Sequence, residues 1–132
     1  MLFRSRSSGL SFNWSRADWA AGVSGYYIGS YADSAATITD SAYQALEDRS
    51  YVTTIDDTHY WKVDSSVTFN VFVSRTFQSE SGWLNGVSAR LGVRNLTDEK
   101  PPLSSSPGGY DASVYNAVAA GRGWTLRLIK SF

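Results

Sequence analysis

Residues 61–74 read WKVDSSVTFNVFVS, and the spacing of the apolar residues in this stretch indicates the class of fold. The odd positions are mostly apolar and the even positions are mostly polar. A β-strand directs successive side chains to opposite faces of its sheet, whereas a helical pattern repeats about every 3.6 residues. The stretch therefore predicts a strand with one apolar face and one polar face.

The same alternation appears in other parts of the chain. Between residues 87 and 93 apolar side chains alternate with polar ones that include Arg90, and near the end Trp124, Leu126 and Leu128 alternate with polar residues in the same way. Two earlier stretches alternate more weakly. We predict an all-β fold, an antiparallel meander of about five strands, at residues 7–15, 19–33, 58–77, 84–97 and 123–132.

The predicted connections alternate between short and long. Residues 16–18 and 78–82 form short turns, while residues 34–57 and 98–122 form long polar links, the first with a helical turn around Ser41 to Arg49. Links longer than about 12 to 15 residues are uncommon in compact soluble domains. Transmembrane β-barrels, by contrast, carry short turns on one side of the membrane and long loops on the other. Since single-chain barrels begin at about eight strands, five strands predict a part of a larger barrel.

The composition excludes several classes of function. The 132 residues include 12 Lys and Arg, 12 Asp and Glu, and no cysteine. A net charge of zero argues against a nucleic-acid partner. The absence of thiols excludes thiolate metal sites and thiol catalysis. Residues 1–8 lack the apolar stretch that an export signal needs.

Several motifs occur together near the end of the chain: LGVRNLTDEKPP at 91–102, Gly109-Tyr110-Asp111, Tyr115-Asn116, Gly121-Arg122-Gly123 and Phe132. This combination resembles the C-terminal end of a TonB-dependent outer-membrane receptor. In that family an Asn-Leu-aromatic-Asp element follows the penultimate strand, although Thr97 replaces the aromatic residue here and Lys130 stands where many relatives have an apolar residue.

The resemblance implies a barrel of about 22 strands around a plug domain. Residues 1–132 would supply its last five strands, as a truncated or split part without the plug and the earlier strands. It also implies residence in the outer membrane, contact with its lipid, and coupling to the TonB system through the plug. The parent receptor would take up a scarce solute such as a ferric siderophore, cobalamin or an oligosaccharide. The outer-membrane assembly machinery would recognise the signal formed by Trp124, Leu126, Leu128 and Phe132.

The candidate ligand-binding residues are three arginines of the predicted polar face. Arg90, Arg94 and Arg127 would lie on neighbouring strands and face the lumen, where they would attract anionic ligands or plug carboxylates. The alternative is that carboxylates such as Asp64 pair with them.

The other polar clusters predict no chemistry. His59 near Asp56 and Asp57 has the ligand types of a metal site, but a solvated acidic loop is the preferred interpretation. We therefore expect no catalytic residue, no metal and no cofactor. Two further alternatives remain open: a soluble β-sandwich or lectin-like ligand-binding module, and a small barrel assembled from several copies.

Overall fold

A computed structural model describes residues 6–78 and 82–132 of the chain. Its strands and helices are β1 (Ser7–Arg16), β2 (Trp19–Ile28), β3 (Tyr31–Ile38), α1 (Asp40–Ala45), β4 (Val52–Ile55), β5 (Thr58–Val63), β6 (Ser66–Phe77), β7 (Val87–Arg94), α2 (Ala112–Ala119) and β8 (Gly123–Lys130).

The predicted fold class is confirmed at the level of antiparallel β-structure. Strands β1, β2, β6, β7 and β8 form a five-stranded sheet in that order, so β1 and β8 lie at its edges. Strand β7 pairs antiparallel with β6 and with β8. The register places Val73, Leu91 and Leu126 in one row across the three strands. The alternation in the sequence therefore corresponds to the two faces of this sheet.

Two of the five predicted strands are each divided in two. The prediction of one strand at 19–33 is wrong because β2 ends at Ile28 and β3 begins at Tyr31. The N–H of Gly29 donates to the carbonyl of Arg6 at 2.7 Å, just beyond the ends of β2 and β1, and β3 then pairs with β5 in a separate sheet. The prediction of one strand at 58–77 is also wrong, since Asp64 and Ser65 separate β5 from β6.

The link at residues 34–57 contains regular structure beyond the predicted helical turn. Strands β3, β5 and β4 form a second sheet, in which β5 is central and antiparallel to both neighbours. Asp56 and Asp57 have φ values of 48° and 60°, the conformation of a tight two-residue hairpin between β4 and β5. The predicted helical turn corresponds to α1, whose first turn is capped by Thr39 Oγ1 accepting from the Ala42 N–H at 3.3 Å.

The prediction that residues 98–122 are a polar link is wrong, because α2 lies within them. Tyr115 and Val118 of α2 are buried against Val63 of β5. A helix of eight residues is marginal by its own propensity, so burial of its apolar side is what stabilises it.

The described chain divides into two compact units. The first unit comprises residues 6–8, 27–67 and 100–119 and contains the cluster of Val63, Tyr115 and Val118. The second comprises residues 9–26, 68–78, 82–99 and 120–132, and Val93 and Asn95 are buried in it. Within residues 6–78 and 82–132, no helix has the length and apolar character needed to cross a bilayer.

Candidate functional site

One face of the five-stranded sheet is apolar and exposed. Leu91 pairs with Leu126 and Ala89 with Leu128 across β7 and β8, and Trp124 pairs with Val93, which is itself buried. The side chains of Leu126, Leu128 and Trp124 remain 67%, 65% and 66% exposed. A contiguous apolar surface of this kind marks contact with a lipid or a protein partner.

The predicted assembly signal lies on this face and just beyond it. Trp124, Leu126 and Leu128 share the apolar face of β8, and Phe132 is fully exposed after the strand ends. The N–H of the neighbouring Ser131 donates to the Gly86 carbonyl at 3.0 Å, and the Gly86 N–H donates to the Phe77 carbonyl at 3.0 Å. A Cβ at Gly86 would stand 2.9 Å from the Ser131 carbonyl, and φ there is +73°, so only glycine fits this approach.

The opposite face of the same sheet forms a polar groove. The groove has a volume of about 580 Å³, and Arg90, Arg94 and Arg127 all line it. Arg90 and Arg127 are directly opposite each other in the register of β7 and β8. The structure thus brings the three predicted ligand-binding residues to one surface.

The three guanidinium groups have no acidic partner among the residues described. Asp64, the predicted alternative partner, instead lies 4.0 Å from Lys62 Nζ in the first unit. Arg90 Cζ stands 3.8 Å from the centre of the Phe72 ring, a cation–π contact. Like charges directly opposite each other in a sheet repel, so a bound anion would be stabilised here.

Gly22 allows close packing between neighbouring strands where it lines the polar groove. A Cβ at this position would collide with Asn13 and with the ring of Phe72, the ring that carries Arg90. The contacts show that Gly22 is needed for close packing.

The Asn-Leu-Thr-Asp motif forms the turn after β7. Asn95, which is 1% exposed, adopts a left-handed φ of 51°. Its amide accepts from the Glu99 N–H at 2.9 Å and donates to the Glu99 carbonyl at 3.0 Å. The Asn95 N–H in turn donates to Asn70 Oδ1 of β6 at 2.9 Å. The motif therefore has a structural role, because its hydrogen bonds connect the turn to the sheet.

The Gly-Arg pair before β8 contacts the same turn. Asp98 Oδ1 accepts from the Arg122 N–H at 3.0 Å. Gly121 has a φ of +72°, and a Cβ there would lie 3.4 Å from the same carboxylate oxygen. Two motifs that are 24 residues apart therefore meet through one hydrogen bond.

The Gly-Tyr-Asp motif leads into α2. The Tyr31 hydroxyl donates to Asp111 Oδ2 at 3.3 Å, and Tyr115 is completely buried. Burial raises the pKa of the Tyr31 phenol far above its usual value, and the negative charge of Asp111 raises it further. Burial likewise raises the pKa of Tyr115, with a further contribution from Asp111. Both phenols are therefore neutral hydrogen-bonding groups.

The long link at 98–122 also binds the second sheet through Asp33. Its carboxylate accepts from the Ser105 N–H at 2.7 Å and from the Ala35 N–H at 3.1 Å. Burial raises the pKa of Asp33, but these hydrogen bonds to the carboxylate outweigh it and leave the pKa below its usual value.

His59 packs within the first unit instead of joining the two aspartates beside it in sequence. Its Nδ1 lies 2.7 Å from Thr54 Oγ1, its Nε2 lies 3.4 Å from Asp40 Oδ1, and its ring stacks on Tyr43 with centres 3.8 Å apart. In the part of the chain that the structure describes, no group of three or more His, Asp or Glu side chains is arranged to hold a metal ion.

The functional candidates are therefore the exposed apolar face and the arginine-lined groove on opposite sides of one sheet. No protein family, curated protein or solved structure matches this chain.

Proposed function

We propose that this chain is the C-terminal part of the β-barrel of a TonB-dependent outer-membrane receptor. The observation that carries the proposal is the division of one sheet into an exposed apolar face and a polar face lined by Arg90, Arg94 and Arg127. Strands of a transmembrane barrel alternate between lipid-facing apolar residues and lumen-facing polar residues in this way.

The edges of the sheet support the same proposal. Both β1 and β8 are edge strands, and nearly all of their side chains are exposed. Long open edges with apolar residues pair readily with other strands. In a receptor barrel the neighbouring strands of the parent protein would cover them.

The parent receptor would take up a scarce solute with energy from the TonB system, which would act through the plug. The arginine groove would face the lumen, where its positive charge attracts an anionic ligand or the carboxylates of the plug. Outer-membrane lipid would contact the apolar face, and the outer-membrane assembly machinery would recognise the last strand.

A soluble β-sandwich ligand-binding module is the second candidate. It is favoured by the way the link at 98–122 folds back on β5, where Tyr115 and Val118 bury Val63. A module of this kind would, however, leave the apolar face of the five-stranded sheet exposed to water.

Detergent dependence distinguishes the two functions. We expect the purified chain to aggregate in plain buffer and to become monodisperse with antiparallel β-structure in detergent, because the apolar face needs a non-aqueous contact. Analytical ultracentrifugation and circular dichroism measure both properties. A monodisperse monomer that unfolds cooperatively in plain buffer would support the soluble module and contradict the receptor proposal.

A further inference from the structure

The apolar face of the sheet contains two cations at one border. In the register, Arg75 pairs with Ala89, which pairs with Leu128, so the arginine belongs to the same face as Leu128. Lys130 pairs with Val87, and Val87 pairs with Phe77, which places the lysine in the last row of that face. The alternation at the sequence level did not single out either residue as functional.

Aromatic rings hold the Arg75 guanidinium in place. Its Cζ lies 5.0 Å from the centre of the Trp19 ring and 4.9 Å from that of Phe77. Arg75 and Phe77 also line a groove of about 310 Å³ together with Trp83. A cation between aromatic rings retains its charge and its hydrogen-bond donors for an external partner.

Arg75 has no acidic partner in residues 6–78 and 82–132. Asp18 lines the same groove, but no ion pair joins its carboxylate to the guanidinium. Its backbone carbonyl instead accepts from the Thr76 N–H at 2.8 Å. The guanidinium is therefore exposed on an apolar face without neutralisation by the described chain.

Lys130 has a similar environment. Its Nζ donates to the Trp83 carbonyl at 3.1 Å and lies 5.4 Å from the centre of the Phe132 ring. A single hydrogen bond leaves two of the three ammonium donors for a further acceptor. Both cations thus lie beside aromatic rings at the end of the sheet where β6 ends and β7 begins.

We propose that Arg75 and Lys130 bind the phosphate groups of anionic phospholipids at this border of the apolar face. The inference rests on the proposed function, since it requires that the face meets a bilayer. Aromatic residues collect at the level of the lipid headgroups, and long basic side chains reach from apolar surface to the charged interface. Two strand spacings across the sheet and two residues along it place the two backbone positions about 12 Å apart, so each cation would bind a separate headgroup.

Charge complementarity selects this occupant over a neutral one. Each basic side chain close to an anionic lipid surface strengthens association by about fivefold. A zwitterionic lipid would contact the apolar face equally well. Because it has no net negative charge, it would not strengthen association through the two cations in this way. The expected signature is a preference for anionic lipid on top of general lipid binding.

Vesicle flotation of the full chain tests the inference. The chain would be diluted from detergent into vesicles of phosphatidylcholine alone, or of phosphatidylcholine with phosphatidylglycerol. We expect binding to both, with tighter binding to the anionic vesicles that added inorganic phosphate does not abolish. The double variant R75Q/K130Q should bind phosphatidylcholine as before and lose most of the gain. R75K should keep the gain because it keeps the charge.

Arg49→Gln is a single-charge control, because it removes one positive charge from the other compact unit. It should retain the preference for anionic vesicles. An equal gain in R75Q/K130Q and the unaltered chain, or equal losses in R75Q/K130Q and R49Q, would overturn the lipid inference alone. Failure of the unaltered chain to bind phosphatidylcholine vesicles would overturn the proposed function, and the lipid inference with it.

Discussion

At the scale of single residues, Asn95 holds the turn after β7. Its side chain satisfies both the N–H and the carbonyl of Glu99, and its backbone adopts a left-handed conformation. We expect Asn95→Ala to lower the free energy of unfolding by about 1 to 3 kcal/mol, because two backbone groups lose their partner. Denaturant unfolding in detergent measures the change. Asn95→Gly permits the same backbone conformation and separates conformational strain from lost hydrogen bonds. An unaltered denaturant midpoint of unfolding in both variants would contradict a structural role for Asn95 in this turn.

Tyr31 is a second single residue with a testable effect, because its contribution to the free energy of unfolding depends on pH. Because burial and Asp111 raise the pKa of this phenol above its unfolded value of 10.0, the folded state favours the neutral form. The contribution of Tyr31 to the free energy of unfolding is complete below pH 10 and decreases as the pH rises above that value. We expect Tyr31→Phe to reduce the alkaline loss of stability of the first unit, as measured by hydrogen exchange of residues 111–115 against pH. Identical alkaline profiles would contradict this assignment.

At the scale of the strand, β8 offers a direct test of the two faces. Leu126 lies on the apolar face opposite Leu91, while the adjacent Thr125 lines the polar groove opposite Gly92. If the sheet belongs to the proposed receptor barrel, Leu126→Arg should destabilise that barrel in a bilayer by about 2 to 4 kcal/mol, and Thr125→Arg should have a much smaller effect because its charge would enter a wet interior. Unfolding of the full-length receptor in lipid vesicles measures both. Similar losses in the two variants would mean that neither face meets lipid.

The strands also differ in how well the sequence predicts them. The five stretches with period-two alternation all contain strands of the larger sheet, because alternation reports which side chains share a face. The interruptions at Gly29 and at Asp64-Ser65 were not predicted. Alternation continues across them, so the residue pattern does not reveal where hydrogen-bond partners change.

At the scale of the whole molecule, the chain end provides the test of assembly. Phe132 is fully exposed beyond β8. In the proposed full-length receptor, we expect deletion of Phe132 to lower the amount of receptor in the outer membrane, since the resemblance implies that the last strand is an assembly signal. Surface labelling measures this level, and Phe132→Tyr is the control that keeps an aromatic ring. Unchanged abundance after the deletion would count against an assembly role.

The sequence by itself determined the antiparallel β class, the stretches that contain the strands of the larger sheet, and the sharing of one polar face by Arg90, Arg94 and Arg127. These properties depend on local alternation. Only the tertiary structure decided that β3, β4 and β5 form a second sheet, that α2 exists, and that Asp98 meets Arg122. The physical reason is distance along the chain: Tyr115 becomes a buried helix residue only against Val63, and no local pattern specifies such a partner.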